Sequence, residues 1–132
     1  VPVFLDTNVL VYAALQPDPR SERARDLLAA GGIVSVQVLN EFTNVASRKL
    51  RRPWHEIAEA IRLIELVCPD IRPVTTATHG LALRLAERTG YAFYDALILA
   101  AALEAGCDML LTEDMQANQV IDGRLTIRNP FA

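Results

Sequence analysis

Val3-Phe4-Leu5-Asp6-Thr7-Asn8-Val9-Leu10-Val11-Tyr12-Ala13-Ala14-Leu15 is the stretch on which the fold turns. Three apolar residues that end abruptly at an acid read as a short buried strand, and Asn8–Leu15 then reads as a short helix. The same unit recurs along the chain. Ile33–Val34 is a second strand, and Ser35 is placed to cap a helix from Val36 to about Leu50. Ile71–Val74 reads as a third strand and Met109–Leu111 as a fourth. Leu125–Ile127 reads as a last strand at the sheet edge. Between them, helices are expected from Pro19 to about Ala30, from Pro53 to about Leu66, over Thr76–Thr89 and over Tyr94–Ala105. Gly31-Gly32, Gly90 and Gly106 punctuate three of these helix ends. Short apolar runs alternating with helices give an α/β fold around a mostly parallel sheet. In such sheets chemistry gathers beyond the carboxyl ends of the strands.

The length of 132 residues suits one domain, and no linker, repeat or low-complexity tract divides it, so 1–132 reads as a single unit. Hydrophobic residues make up 52% and the net charge is −3, a globular balance that carries no global basic field. Of the 13 basic residues only Lys49 is a lysine; the rest are arginines, which grip phosphate by a planar fork. The longest uncharged run, Leu27–Asn40, is broken by Gly31-Gly32, and neither it nor Ala96–Leu103 is long enough to span a bilayer. The opening residues have no basic flank and meet Asp6 at once, unlike a signal peptide. Cys68 and Cys107 form no metal-ligand pair with His55 or His79. Together these features suggest a reduced, cytoplasmic protein without a zinc site.

Four acids stand out. Asp6 follows the first strand directly, and Asp114 follows the fourth after two residues. Both fall on one rim of a parallel sheet, although each could simply cap a helix. Asp95 begins Ala96-Leu97-Ile98-Leu99-Ala100-Ala101-Ala102-Leu103, a helix apolar on nearly every face and so buried. A carboxylate there gains from the helix dipole, but its partial burial calls for a partner. Glu41 lies on a polar stripe with Gln37, Asn44 and Arg48, and alone would pass for a solvated surface residue. Gathered together without His or Cys, four such acids suit a hard cation held by oxygen, Mg²⁺ or Mn²⁺. Such ions promote phosphodiester hydrolysis.

Phe4-Leu5-Asp6-Thr7-Asn8, Glu41, Tyr94-Asp95-Ala96-Leu97-Ile98 and Leu111-Thr112-Glu113-Asp114-Met115-Gln116, in this order, resemble the PIN-domain family, and most closely its VapC-type toxins of prokaryotic toxin–antitoxin pairs. The resemblance covers essentially the whole chain and extends to Gln119–Gly123 and Ile127–Phe131. It implies a three-layer α/β/α sandwich and metal-dependent endoribonuclease activity. The products would carry 5′-phosphate and 3′-hydroxyl ends. It implies that Asp6, Glu41, Asp95 and Asp114 are the catalytic acids. Asp6 and Asp95 would be the core Mg²⁺ ligands. Glu41 and Asp114 would ligate directly or through water, or orient the attacking water. Thr7, Asn8 and Thr112 would support these ligands by hydrogen bonds. Glu113 could join them or face solvent. A homodimer and a VapB-like antitoxin are the implied partners, the antitoxin's tail lying near the acids. Asn118 departs from the family pattern, which often has Gly there, but Asn tolerates the left-handed conformation.

Arg48, Lys49, Arg51 and Arg52 form the densest basic cluster. Arg48, seven residues beyond Glu41, is expected on the same helix face. The cluster is a candidate RNA-binding element, or else a basic helix end that complements the dipole. Trp54 and Tyr12 could stack on bases or pack in the core. Val9, Leu10, Tyr12, Leu27 and Leu28 look like more apolar surface than one helix pair can bury, which suggests an interface. Three other functions stay open: an RNA-processing nuclease without an antitoxin, a non-catalytic RNA- or protein-binding domain, and an aspartate-based phosphatase. The last lacks the usual second acid, since Asn8 occupies that place.

Overall fold

The computed structural model describes residues 2–132. Among these residues six α-helices surround a mostly parallel sheet. Strand β1 (Val3–Leu5) lies parallel to β4 (Met109–Leu111), with Leu5 opposite Leu111. Strand β4 lies parallel to β6 (Leu125–Arg128), and β6 pairs antiparallel with β5 (Val120–Ile121). On the other side of β1, Ile33 makes a parallel bridge to Phe4, and β2 (Val34–Ser35) continues from it to pair with β3 (Ile71–Arg72). Leu125–Ile127 is therefore an inner strand and not the edge expected for it. The edge is β5, a two-residue strand too short to show a periodicity.

Consecutive residues of the central strands are buried: Phe4 with Leu5, Val34 with Ser35, and Leu110 with Leu111. Since neighbouring side chains in a strand point to opposite faces, helices must cover both, which makes three layers. Helix α1 (Thr7–Ala14) packs on α2 (Ser21–Ala29) and on α3 (Val36–Asn44). Helix α4 (Trp54–Val67) buries Ile57 and Ile64, while α5 (Thr76–Thr89) packs along α6 (Phe93–Glu104). Helix α6 is buried from Ala96 to Leu103 without interruption. Its run of alanines lets α5 and the sheet approach closely, so its first turn is fixed in place by the core. Val9 and Leu10 are wholly buried, and Tyr12, Leu27 and Leu28 pack against the same core. The apolar surplus expected on α1 and α2 is thus largely consumed inside the protomer. The two most exposed apolar side chains among the described residues lie on α4, where Leu66 is 73% and Trp54 69% accessible. Among the described residues no helix is long and apolar enough to cross a membrane.

The helix that begins at Val36 does not run regularly to Leu50. After Asn44 it widens into a π-helical turn, Val45–Lys49, in which the Leu50 amide donates to the Val45 carbonyl at 3.0 Å. Such a turn advances less per residue than an α-helix. The face that carries Glu41 therefore recurs at the eighth residue, Lys49, and not at the seventh, Arg48.

The chain leaves β1 toward β2 and β3 on one side, and returns through β4 and β6 on the other. The crevice beyond the carboxyl ends of β1 and β4 is thus the point where the strand order reverses.

Candidate active site

Asp6 is the first residue beyond β1, and its amide donates to the Leu111 carbonyl of β4 at 3.1 Å. It is the N-cap of α1, 4% exposed, so its capping and ligand readings fall on the same side chain. One carboxylate oxygen accepts from the Thr7 amide at 2.7 Å and the other from the Thr112 hydroxyl at 2.8 Å. Thr112, wholly buried just beyond β4, is a hub. Its hydroxyl oxygen also accepts from the Asp114 amide at 3.1 Å and from the Asn8 side-chain amide at 3.2 Å. The Asn8 amide nitrogen donates in addition to Asp114 Oδ2 at 3.0 Å. One threonine hydroxyl thus ties the two strand ends together. No helix follows Asp114 in the chain, so it caps nothing. Asn8 is committed to these bonds and has no acidic proton to give, which removes the phosphatase reading's proton donor.

Glu41 comes from the middle of α3 and Asp95 from the first turn of α6, a helix start with no side-chain cap. The four acids sense one another. Burial raises Asp6 to about 6; the Thr112 and Thr7 hydrogen bonds oppose the rise, and Asp114 and Asp95 add to it. Burial lifts Glu41 to about 7, with Asp6, Asp95 and Asp114 contributing and the Gln37 amide opposing. Asp95 is raised by burial and then by Asp114. Among the described residues none of the four forms an ion pair. A cavity of about 360 Å³ opens beside Glu41 and Asp114, lined also by Thr7, Asn8, Lys49 and Glu113 among others.

The donor set is all oxygen, as a hard cation requires. Thr7 Oγ1 and Asn8 Oδ1 are buried without a hydrogen-bond partner. Two orphan oxygens beside carboxylates that lack a counter-charge fit a hydrated divalent ion. Among the described residues no three Asp, Glu, His or Cys side chains are already drawn together as a metal cage. Carboxylates without an ion between them repel one another.

The basic cluster divides. Lys49 alone lines the acidic cavity. Arg52 donates to the Leu15 carbonyl at 2.7 Å and lies 3.5 Å from Glu56, so it fastens the end of α1 to the start of α4. Arg48 and Arg51 are exposed, and Arg51 has a positive φ of 52° at the end of the π turn. Glu113, left open by sequence, is held by Arg20 at 2.8 Å and by the Tyr12 hydroxyl. Arg20 also lies over the Tyr12 ring at 4.2 Å, and Phe131 meets that ring edge-on. Tyr12 is therefore unavailable to stack on a base. Asn118 adopts the left-handed conformation, φ 71°, with its amide bonded to the Ile127 carbonyl at 2.7 Å. The sequence reading did not single out Arg20 or Tyr94. Arg20 gave no signal, because its partner lies far along the chain. Tyr94 does carry one: it is a large aromatic directly beside Asp95.

Comparison with known proteins identifies the family and the fold. The family model described as the PIN domain matches residues 3–121. The chain is 32% identical over 123 residues to Ribonuclease VapC7 of Mycobacterium tuberculosis, covering 85% of this chain and 81% of that protein. Among solved structures, a toxin–antitoxin complex from Klebsiella pneumoniae is similar with a TM-score of 0.71 at 20% identity, over 99% of this chain and 98% of that one. Mycobacterium tuberculosis VapC20, described as a toxin that cleaves the sarcin–ricin loop, gives a TM-score of 0.69 at 22% identity, over 82% and 86% of the two chains. A chain of VapBC2 from Rickettsia felis, solved bound to a DNA fragment of its promoter, also gives 0.69, at 19% identity, over 98% and 100%.

Proposed function

Because the chain belongs to the PIN-domain family, among its VapC-type members, we propose that it is a divalent-metal-dependent endoribonuclease and the toxin of a toxin–antitoxin pair. The observation that carries this reading is the set of four acids at the strand-order reversal. Two of them titrate near neutrality, and none has a basic partner among the described residues.

Asp6 and Asp95 would hold the ion, Mg²⁺ or Mn²⁺, with Asp114 and Glu41 beside it. When bound, the ion supplies positive charge that polarises the phosphoryl group and lowers the pKa of water. Thr112 and the Thr7 amide fix the Asp6 carboxylate so that its orientation costs nothing at the moment of reaction. Asn8 holds Asp114 in the same way. Glu41, the one acid of the set supplied by α3, would orient the attacking water and accept its proton as a carboxylate. Gln37 steadies it through an amide at 3.4 Å from Oε2. Lys49 offers the one cation of the cavity to an RNA phosphate. Hydrolysis by water, in line at phosphorus, leaves 5′-phosphate and 3′-hydroxyl ends.

The solved relatives whose titles name a toxin–antitoxin complex and VapBC2 support an antitoxin partner. So does the apolar groove of about 460 Å³ between the first two helices and α4, lined by Ala13, Ala14, Leu28, Leu63 and Val67. The deciding experiment is cleavage of a total RNA pool in Mg²⁺, in Mn²⁺ and in EDTA, beside Asp95→Asn. Metal-dependent cleavage lost in the variant is the expected result. Cleavage that persists in EDTA, or in the variant, overturns the proposal.

A further inference from the structure

A second cavity, of about 490 Å³, lies on the other side of Glu41 from the acidic one and shares Glu41 and Val45 with it. It is lined by Gln37, Asn40, Glu41, Asn44, Val45 and Tyr94. The two cavities differ in chemistry. The first carries Lys49 with Glu113 and Asp114. Among the described residues the second has no cation, and its only charge is Glu41, which it shares. Its remaining polar groups are amides, and its one aromatic is Tyr94, 63% exposed at the start of α6. Among the described residues the Tyr94 hydroxyl has no hydrogen-bond partner, and its ring touches only Phe93 among aromatics, tilted at 6.0 Å. Asn40 and Asn44 are exposed. Asn40 spends one amide hydrogen on Gln37 at 3.5 Å, and Gln37 in turn reaches Glu41. The outer amide groups are left free.

An amide-lined cleft with an accessible aromatic face and no cation does not suit a phosphate. It suits a flat, neutral, hydrogen-bonding ring. We propose that this groove is a nucleobase subsite. An unpaired RNA base next to the scissile phosphate stacks on Tyr94 and presents its edge to Asn40 and Asn44. Stacking on an aromatic tolerates any base, whereas an amide's paired donor and acceptor choose among edges. Tyr94 thus contributes affinity, and the two asparagines contribute sequence preference. The inference rests on the ribonuclease reading. The shared Glu41 places the base cleft directly beside the reacting centre, with Lys49 on the opposite flank. The substrate strand then crosses the end of α3 from a phosphate contact at Lys49 to a base contact at Tyr94.

The test uses a short single-stranded RNA of degenerate sequence. Binding is read by anisotropy of a labelled pool in Ca²⁺, an oxygen-seeking ion of looser geometry than Mg²⁺. Cleavage of the same pool in Mg²⁺ is read by sequencing the ends. Tyr94→Leu is expected to weaken binding by at least about fivefold, as loss of one base–aromatic stack does. Tyr94→Phe should keep wild-type binding, which a merely structural role of the hydroxyl would not allow. Asn40→Ala with Asn44→Ala should flatten the base preference at one position beside the cut while leaving binding of the pool within about threefold. Tyr94 and both asparagines are exposed, so the variants should melt with the wild type, and circular dichroism checks this. RNA binding that depends on Tyr94 without any cleavage would sink the nuclease reading and leave the subsite. Cleavage by Tyr94→Leu with wild-type affinity and preference would sink the subsite and leave the nuclease, the groove then serving a protein partner. A wild-type chain that neither binds nor cuts the RNA overturns both.

Discussion

Glu113 and Asp114 are neighbours in sequence and opposites in treatment. Glu113 turns toward Arg20 and Tyr12, and Arg20 also clasps Asp18 through two parallel hydrogen bonds, at 2.7 and 2.9 Å. Asp18 is held down to about 2 by that guanidinium. Asp114 turns the other way, toward Asp6, Glu41 and Asp95, whose carboxyl groups burial and neighbouring charge push up. One acidic cluster is paired with a guanidinium of its own chain. The other is left open to a ligand. An unpaired buried carboxylate group costs stability, and a chain that balances one cluster yet leaves the next unbalanced keeps it for binding.

The largest way to break this contrast is Asp6→Asn. Metal-dependent cleavage should fall about a thousandfold, by the scale of losing one electrostatic contact to the reacting group. The variant should melt at or above the wild type in EDTA at neutral pH, because it removes a charge that folding buries. Wild-type cleavage by the variant, or its failure to fold, would remove the distinction between the clusters.

The next effect is a pH dependence of opposite sign in the two clusters. Asp6 has a folded pKa of about 6 against an ordinary 3.8. Between these values the native state holds more protons than the unfolded one, so stability falls as pH rises. For Asp6 this amounts to about 3 kcal/mol by pH 7. Asp18, depressed to about 2, does the reverse: its contribution is present above its ordinary pKa and is lost as pH falls toward 2. Urea denaturation in EDTA should therefore peak on the acidic side and decline from about pH 4 to pH 7. Adding Mg²⁺ should lift the neutral end most, because an ion that binds only the folded state stabilises it. A flat profile between pH 4 and 7 would contradict the burial assigned to Asp6.

Thr112→Val tests how the open cluster is held. It deletes the hydroxyl shared by Asp6, Asn8 and Asp114 at nearly constant volume. Mg²⁺ affinity by calorimetry, or cleavage, should drop by about ten- to a hundredfold, and Thr112→Ser should recover most of it. Loss in Ser with little loss in Val would mean that the methyl's packing matters and not the hydroxyl. The smallest effect belongs to the closed cluster. Arg20→Met leaves Glu113 with Tyr12 alone, and unfolding free energy should drop by about 1 kcal/mol, since the pair is partly exposed. Cleavage should change less than twofold to threefold. A large activity loss would make Arg20 part of the reacting centre.

Much of this was legible in the residues. The strands at Val3–Leu5 and Met109–Leu111 and the helix at Thr76–Thr89 announce themselves by composition and by their stops. The acids Asp6 and Asp114 declare a common rim, because parallel strands end on one side. The π turn did not declare itself. Val36 to Leu50 keeps helical spacing, so Arg48 looked like the residue sharing Glu41's face, and the i→i+5 pattern that substitutes Lys49 depends on how α3 meets the rest of the chain. Nor did β5 declare itself, a two-residue strand created by its partner β6. The Arg20–Glu113 pair joins residues far apart in the chain, which no local pattern can announce.

What the sequence determined by itself is periodicity and punctuation: which segments are strands or helices, which acids end the strands, and that no His or Cys set competes for a metal. These follow from short-range forces, because side-chain spacing and caps act within a turn or two. The tertiary structure decided the charge balance of each acid, the choice of Lys49 over Arg48, and the juxtaposition of Tyr94 with the α3 amides. Each depends on burial and on contacts between distant segments. Desolvation and pairing energies exist only once the chain has closed around them.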